Sequence, residues 1–184
     1  MAFLEQFKSK AGNYFLQKLD SSDRNRKGCT LNEAKSVALL YRDHDEAHYK
    51  QIKSLVKSLH ADFGTQRVCA LGFVNSNAKQ LPIYQAQKLE YMYFTKDDLN
   101  WHMKPKVNLM NFLHEEFDVL IDLTLAPSLP LQFIIKSSKA SMKVGNSLTQ
   151  NETDLDFILE VDENVSLDEY WRQVVFYLTN LKIK

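Results

Sequence analysis

Residues 117–123 of the 184-residue chain read FDVLIDL, and this run is the strongest strand signal in the sequence. A short, nearly continuous apolar run predicts a strand that is buried on both faces, as in a parallel sheet. Similar short runs lie on either side of it, over 36–41 (SVALLY), 67–74 (RVCALGFV), 89–94, 141–144 and 155–161. Apolar residues at helical spacing separate these runs over 45–63, 107–113, 129–139 and 167–181.

Strands that alternate with helices indicate βαβ units. We therefore predict an α/β fold over 31–184: a three-layer α/β/α domain, Rossmann-like or flavodoxin-like, with a mainly parallel sheet. Gly64 is placed to end the first of its helices, and Ser166 with Glu169 three residues later forms a capping-box pattern before the last. The functional crevice of such a sheet lies at the carboxyl ends of its strands.

The first 30 residues form a separate unit, an amphipathic helix followed by a polar linker. Residues 1–30 carry six Lys or Arg against three acidic residues. The helix either packs on its own domain or on a partner, including a second copy of the chain, or lies on an anionic membrane surface. Its apolar stripe consists of Phe3, Leu4, Phe7, Ala11, Tyr14, Phe15 and Leu19.

The composition excludes several function classes. Lys plus Arg and Asp plus Glu both number 23, so the chain has no formal net charge and we expect no nucleic-acid partner. Two cysteines cannot form a disulfide framework, which fits a reducing cytoplasm. No run of 18 apolar residues predicts a membrane span. The glycine patterns that cradle dinucleotides or nucleotide phosphates are absent, so we predict no cofactor.

The segment after the first predicted strand holds the first candidate site. Asp43 and Asp45 are candidates for a ligand contact or a catalytic base, although acidic residues here also suit the start of a helix. His44 and His48 would share one helix face, a spacing that suits a metal, but no third ligand is evident. We therefore predict no metal site.

The loop after the third predicted strand is the second candidate. It reads DDLNWHMKPK over 97–106, and Asn100, Trp101 and Lys104 could form a wall for stacking and anion binding. The alternative is a turn in which Trp101 fills the core and Pro105 begins the next helix.

The end of FDVLIDL supplies the third candidate. Asp122 and Thr124 fall in the crevice region, where they could contact a ligand. The alternative is that Asp122 accepts hydrogen bonds from the backbone of the following loop.

Two resemblances add to these patterns. The motifs ALGF (70–73), DLNWHMKPK (98–106), FDVLIDL (117–123) and KASMKVG (139–145) together resemble a family of small bacterial proteins of unknown function, which implies a Rossmann-like domain. Residues 117–145 are also similar, more weakly, to the N-terminal half of heptosyltransferase-like glycosyltransferases. Those enzymes use a second Rossmann-like domain, for which we expect no room in this chain.

Three functional hypotheses follow. The leading one is a non-catalytic module that binds a small ligand or a protein partner. The second is an enzyme that acts on a sugar or nucleotide, with Asp43 or Asp45 as base. The third is a peripheral membrane module anchored by residues 1–20.

Overall fold

The computed structural model describes residues 2–21, 23–85, 90–106, 109–149 and 153–182, apart from the side chains of 2–5 and 110. It has five α-helices and six strands within these ranges. The helices are α1 (Ala2–Lys18), α2 (Glu46–Phe63), α3 (Met110–His114), α4 (Leu129–Ser137) and α5 (Leu167–Asn180). The strands are β1 (Ser36–Asp43), β2 (Arg67–Val74), β3 (Tyr91–Thr95), β4 (Val119–Asp122), β5 (Met142–Asn146) and β6 (Phe157–Leu159).

The six strands form one sheet in the order β3-β2-β1-β4-β5-β6. Every strand pair is parallel, and Val37 of β1 pairs with Val68 of β2 on one side and with Val119 of β4 on the other. The predicted α/β fold is therefore confirmed. The direction of strand addition reverses between β1 and β4, and this is the position where Rossmann-like sheets open a crevice.

Side chains of the central strand β1 point alternately to the two faces of the sheet and pack into two hydrophobic cores. Leu39 and Tyr41 point into the core beneath α2 and α5, whereas Leu40 points into the core beneath α3 and α4. All three side chains are fully buried. Helix α1 lies against α4, in the second of these layers. None of the helices in the described ranges is long and apolar enough to cross a bilayer.

The predicted helix signals are confirmed, and several predicted bounds are not. Gly64 ends α2 with a left-handed φ of 64°, and Ser166 and Glu169 form a capping box on α5. Strand β6 covers only Phe157–Leu159 of the predicted 155–161. Its start is limited by Asp156, whose carboxylate, rather than a strand carbonyl, accepts from the Lys143 amide at 2.8 Å.

Two other predicted elements are described only in part. Within the described residues, helix α3 begins at Met110 and β3 begins at Tyr91. The predicted starts, Val107 and Leu89, lie outside the described residues. Helix α4 ends at Ser137, two residues before the predicted bound.

Lys143 is a charged residue buried in the core. It lies on β5 and is 1% exposed, and its Nζ donates to the carbonyl oxygens of Ile135 at 2.6 Å and Lys136 at 3.5 Å. The amine thus satisfies carbonyls in the last turn of α4, where a helix has no internal donors. Burial lowers the pKa of Lys143 to about 8.

Candidate functional site

The carboxyl end of β1 carries a buried carboxylate among tyrosines. Asp43 is 8% exposed, and its Oδ2 accepts a hydrogen bond from the Tyr84 hydroxyl at 2.9 Å. Burial raises the pKa of Asp43, while hydrogen bonding by Tyr84 and Gln85 opposes that rise. The Tyr49 ring packs on Tyr84, with centroids 5.6 Å apart. Asp43 is therefore part of an internal polar cluster.

Asp45 has a different role, because it begins α2. Its Oδ1 accepts from the His48 amide at 2.8 Å, which is the hydrogen bond of a helix N-cap. The predicted helix-start chemistry is confirmed for this residue. Burial lowers the pKa of His48, and the nearby His44 acts in the same direction.

A cleft of about 300 Å³ lies where the strand order reverses. His44 and His48 line it with their rings edge to face, 5.0 Å apart between centroids. Arg42 and Thr124 complete its β1 and β4 sides. Across the described ranges, no group of three or more His, Cys, Asp or Glu side chains could hold a metal ion.

Asp122 is fully buried at the end of β4. Its Oδ1 accepts from the amide of Thr124 at 3.0 Å and from the Thr124 hydroxyl at 2.7 Å. This confirms the alternative in which Asp122 bonds the next loop. The Thr124 carbonyl in turn accepts from Asn146 at 2.8 Å, so the pair shapes the β4–α4 loop.

The loop after β3 is a small hairpin closed by a bridge between Leu99 and Pro105. The side chain of Asn100 holds it from within: its Oδ1 accepts from the amides of His102 at 3.1 Å and Lys104 at 2.9 Å. Met103 at the tip adopts a left-handed φ of 66°. A non-glycine residue in that region signals a tightly determined turn.

The hairpin contradicts the alternative prediction for this loop. Trp101 is 56% exposed and does not fill the core. Pro105 pairs in the hairpin and does not begin a helix, since α3 starts at Met110. The next residue, Lys106, donates from Nζ to the Asp97 carbonyl at 2.7 Å, which fixes the base of the hairpin.

Helix α1 packs over this hairpin. The Phe15 ring stacks on His102 at 4.3 Å, and it meets Trp101 edge to face at 5.8 Å. Gly12 lies so close that a Cβ there would be 2.6 Å from the His102 carbonyl oxygen and would also contact Leu129. Only part of the apolar stripe predicted from the sequence lies in this contact, because Phe7 and Tyr14 of the stripe are 57% and 52% exposed. The side chain of Phe3 lies outside the described residues.

A second, larger cleft of about 540 Å³ opens on the other flank of the hairpin. We call it the basic cleft. Two of its lysines, Lys104 and Lys106, come from the hairpin, and Lys139 comes from the segment after α4. None of its described lining residues is acidic. The lining consists of Asn100, Lys104, Pro105, Lys106, Leu113, His114, Ser137 and Lys139.

The predicted site residues therefore separate into three places. Asp43 and Asp45 lie at the end of β1, and Asp122 and Thr124 at the end of β4. Asn100, Trp101 and Lys104 lie in the hairpin, on the α3/α4 side of the sheet. Lys139 and His114 also line the basic cleft, and the sequence analysis did not single them out. No motif marks them, since a lysine after one helix and a histidine at the end of another are common in any domain.

Comparison with known proteins identifies a family but no activity. A protein-family model described as a family of unknown function, DUF6913, matches residues 8–181. No curated protein and no solved structure matches the chain significantly.

Proposed function

Because the chain belongs to DUF6913, a family of unknown function, we propose a function from the geometry alone: a module that binds a small anionic ligand in the basic cleft. The observation that carries this proposal is the concentration of three lysines around one concavity with no acidic residue in its described lining. The chain as a whole has no formal net charge, so this excess is local.

Two of the lysines are available to a ligand. Within the described part of the chain, no carboxylate lies within 4 Å of the amine of Lys104 or Lys139. Lys106 is oriented by the Asp97 carbonyl and adds charge to the rim. Like charges gathered without counter-charges repel one another, and a bound anion removes that repulsion.

The rest of the lining suits the body of a ligand. Pro105 and Leu113 supply apolar surface, and the volume falls within the range of small-molecule sites. The hairpin is also preorganised, because Asn100 and the left-handed turn at Met103 fix its shape before a ligand arrives. These features favour a ligand with a phosphate group and an apolar portion.

The test is a thermal-shift titration with inorganic phosphate, pyrophosphate and nucleoside monophosphates. A ligand that binds only the native state adds about 2.7 kcal/mol of stability at a hundredfold excess over its Kd. We expect a stabilising shift that weakens as salt is added. The double variant Lys104→Gln/Lys139→Gln should lose it.

The control is Lys57→Gln, which removes one positive charge from an exposed position on α2 in the opposite layer. It should keep the shift. The proposal fails if no anion stabilises the protein more than sodium chloride does at equal ionic strength. It also fails if Lys57→Gln weakens the shift as much as the cleft variant does.

A further inference from the structure

An aromatic surface remains uncovered beside the hairpin. It consists of Phe7, Tyr14 and Phe15 of α1 together with Trp101, and we call it the aromatic face. Phe7, Tyr14 and Trp101 are each more than half exposed, and Phe15 is 38% exposed. Tyr14 and Trp101 both contact Phe15 edge to face, at 5.7 and 5.8 Å between centroids. Three of the rings are therefore continuous, and Phe7 lies two helical turns from Tyr14.

The orientation of α1 is fixed by close approach. Gly12 contacts the hairpin backbone, and Leu16, four residues later, lies on the same side and is partly covered. Phe7 and Tyr14 fall on the opposite side of the helix and point to solvent. The domain thus holds the helix through Gly12 and Phe15 and leaves the rings of Phe7 and Tyr14 exposed.

The charges on α1 indicate which kind of surface these rings would contact. Residues 6–18 contain three lysines and no acidic residue. Lys10 and Lys18 are exposed, and they share the outward side with Phe7 and Tyr14. The Lys18 amine lies 4.6 Å from the centre of the Tyr14 ring. Aromatic rings flanked by lysines match the interface of a bilayer with anionic headgroups.

We propose that the aromatic face docks on the surface of an anionic lipid bilayer. The rings of Phe7, Tyr14 and Trp101 would enter the headgroup region, and Lys10 and Lys18 would meet lipid phosphates. This proposal is independent of the basic cleft, because it uses none of the residues that would bind the small anion.

The experiment is co-sedimentation of the full chain with phosphatidylcholine vesicles, with and without phosphatidylglycerol. We expect binding only to the vesicles that contain phosphatidylglycerol. Lys10→Gln and Lys18→Gln should each weaken partitioning about fivefold, the effect of one lysine near an anionic surface. Phe7→Ala should weaken it by a similar factor, about fivefold, from the apolar area lost.

Two controls make the result specific. Phe176→Ala removes a ring that is 62% exposed on α5, in the opposite helical layer, and should leave partitioning unchanged. Trp171 is buried, so a blue shift of tryptophan emission on adding vesicles should come from Trp101 and be absent in Trp101→Phe.

Three results would overturn the proposal. The first is no binding to either vesicle, and the second is equal binding to both. The third is a doubled mass in solution that Phe7→Ala returns to the monomer, without vesicle binding, which would assign the aromatic face to a second copy of the chain.

Discussion

Replacing Lys143 by methionine tests how the core accommodates a buried amine. Methionine has a similar length and no charge, so the variant removes the ionisation of this site while keeping most of its volume. It also loses the hydrogen bonds to the carbonyls of Ile135 and Lys136. Each such bond contributes about 1 kcal/mol to stability, and this loss does not depend on pH.

The effect of this ionisation on the pH dependence of stability has a predictable sign. The folded-state pKa of about 8 lies below the unfolded value of 10.5. The charged amine therefore costs free energy in the fold at neutral pH, and this cost disappears as the pH rises through the window between the two values. Between pH 7 and pH 9.5, the wild type should gain about 2 kcal/mol of unfolding free energy relative to Lys143→Met.

Urea denaturation of both proteins at pH 7 and pH 9.5 measures this difference. Other groups that titrate in the window contribute equally to both proteins and cancel in the comparison. A wild-type advantage that grows with pH supports the buried, charged amine. A difference that stays constant within about 0.5 kcal/mol, below the predicted effect, would refute the reasoning.

Two further substitutions test the fold around β1. Gly72→Ala should destabilise the protein by about 1–3 kcal/mol, because the added Cβ would lie 2.5 Å from Cζ of the fully buried Tyr41; a urea midpoint equal to that of the wild type would contradict this packing. The unfolding free energy of Asp43→Asn, relative to that of the wild type, should be higher at pH 7 than at acidic pH. The raised pKa of Asp43 means that the wild-type carboxylate costs stability at neutral pH and that this cost is relieved as the pH falls through that value. Unfolding free energies that differ by the same amount at both pH values would show that Asp43 titrates normally in the fold.

The fold class could be predicted from sequence because its signals are local. The apolar run FDVLIDL and the helical spacing over 45–63 each reflect the surroundings of one element. The order of the strands could not be predicted, since it depends on contacts between residues far apart in the chain. The basic cleft shows the same limit: Lys104 and Lys139 are brought together only when α4 folds against the hairpin.

The packing of α1 could not be predicted for a different reason. The sequence predicts an apolar stripe that faces the domain, a partner or a membrane, and the structure leaves Phe7 and Tyr14 of that stripe exposed. A helix packs closest where its side chains are small, and Gly12 permits a backbone contact that a larger residue would block. The apolar stripe therefore lies partly against the hairpin, through Phe15, and partly in solvent.

The central position of β1 also has a consequence for synthesis on the ribosome. Val37 finds its first partner at position 68, after one helix, but its second partner, Val119, emerges 82 residues after it. At about 5–20 residues per second, the open side of β1 waits roughly 4–16 seconds for β4. During that time one edge of the buried strand β1 is unpaired, and we expect newly made chains to be most vulnerable to aggregation, and most dependent on chaperones, in this interval.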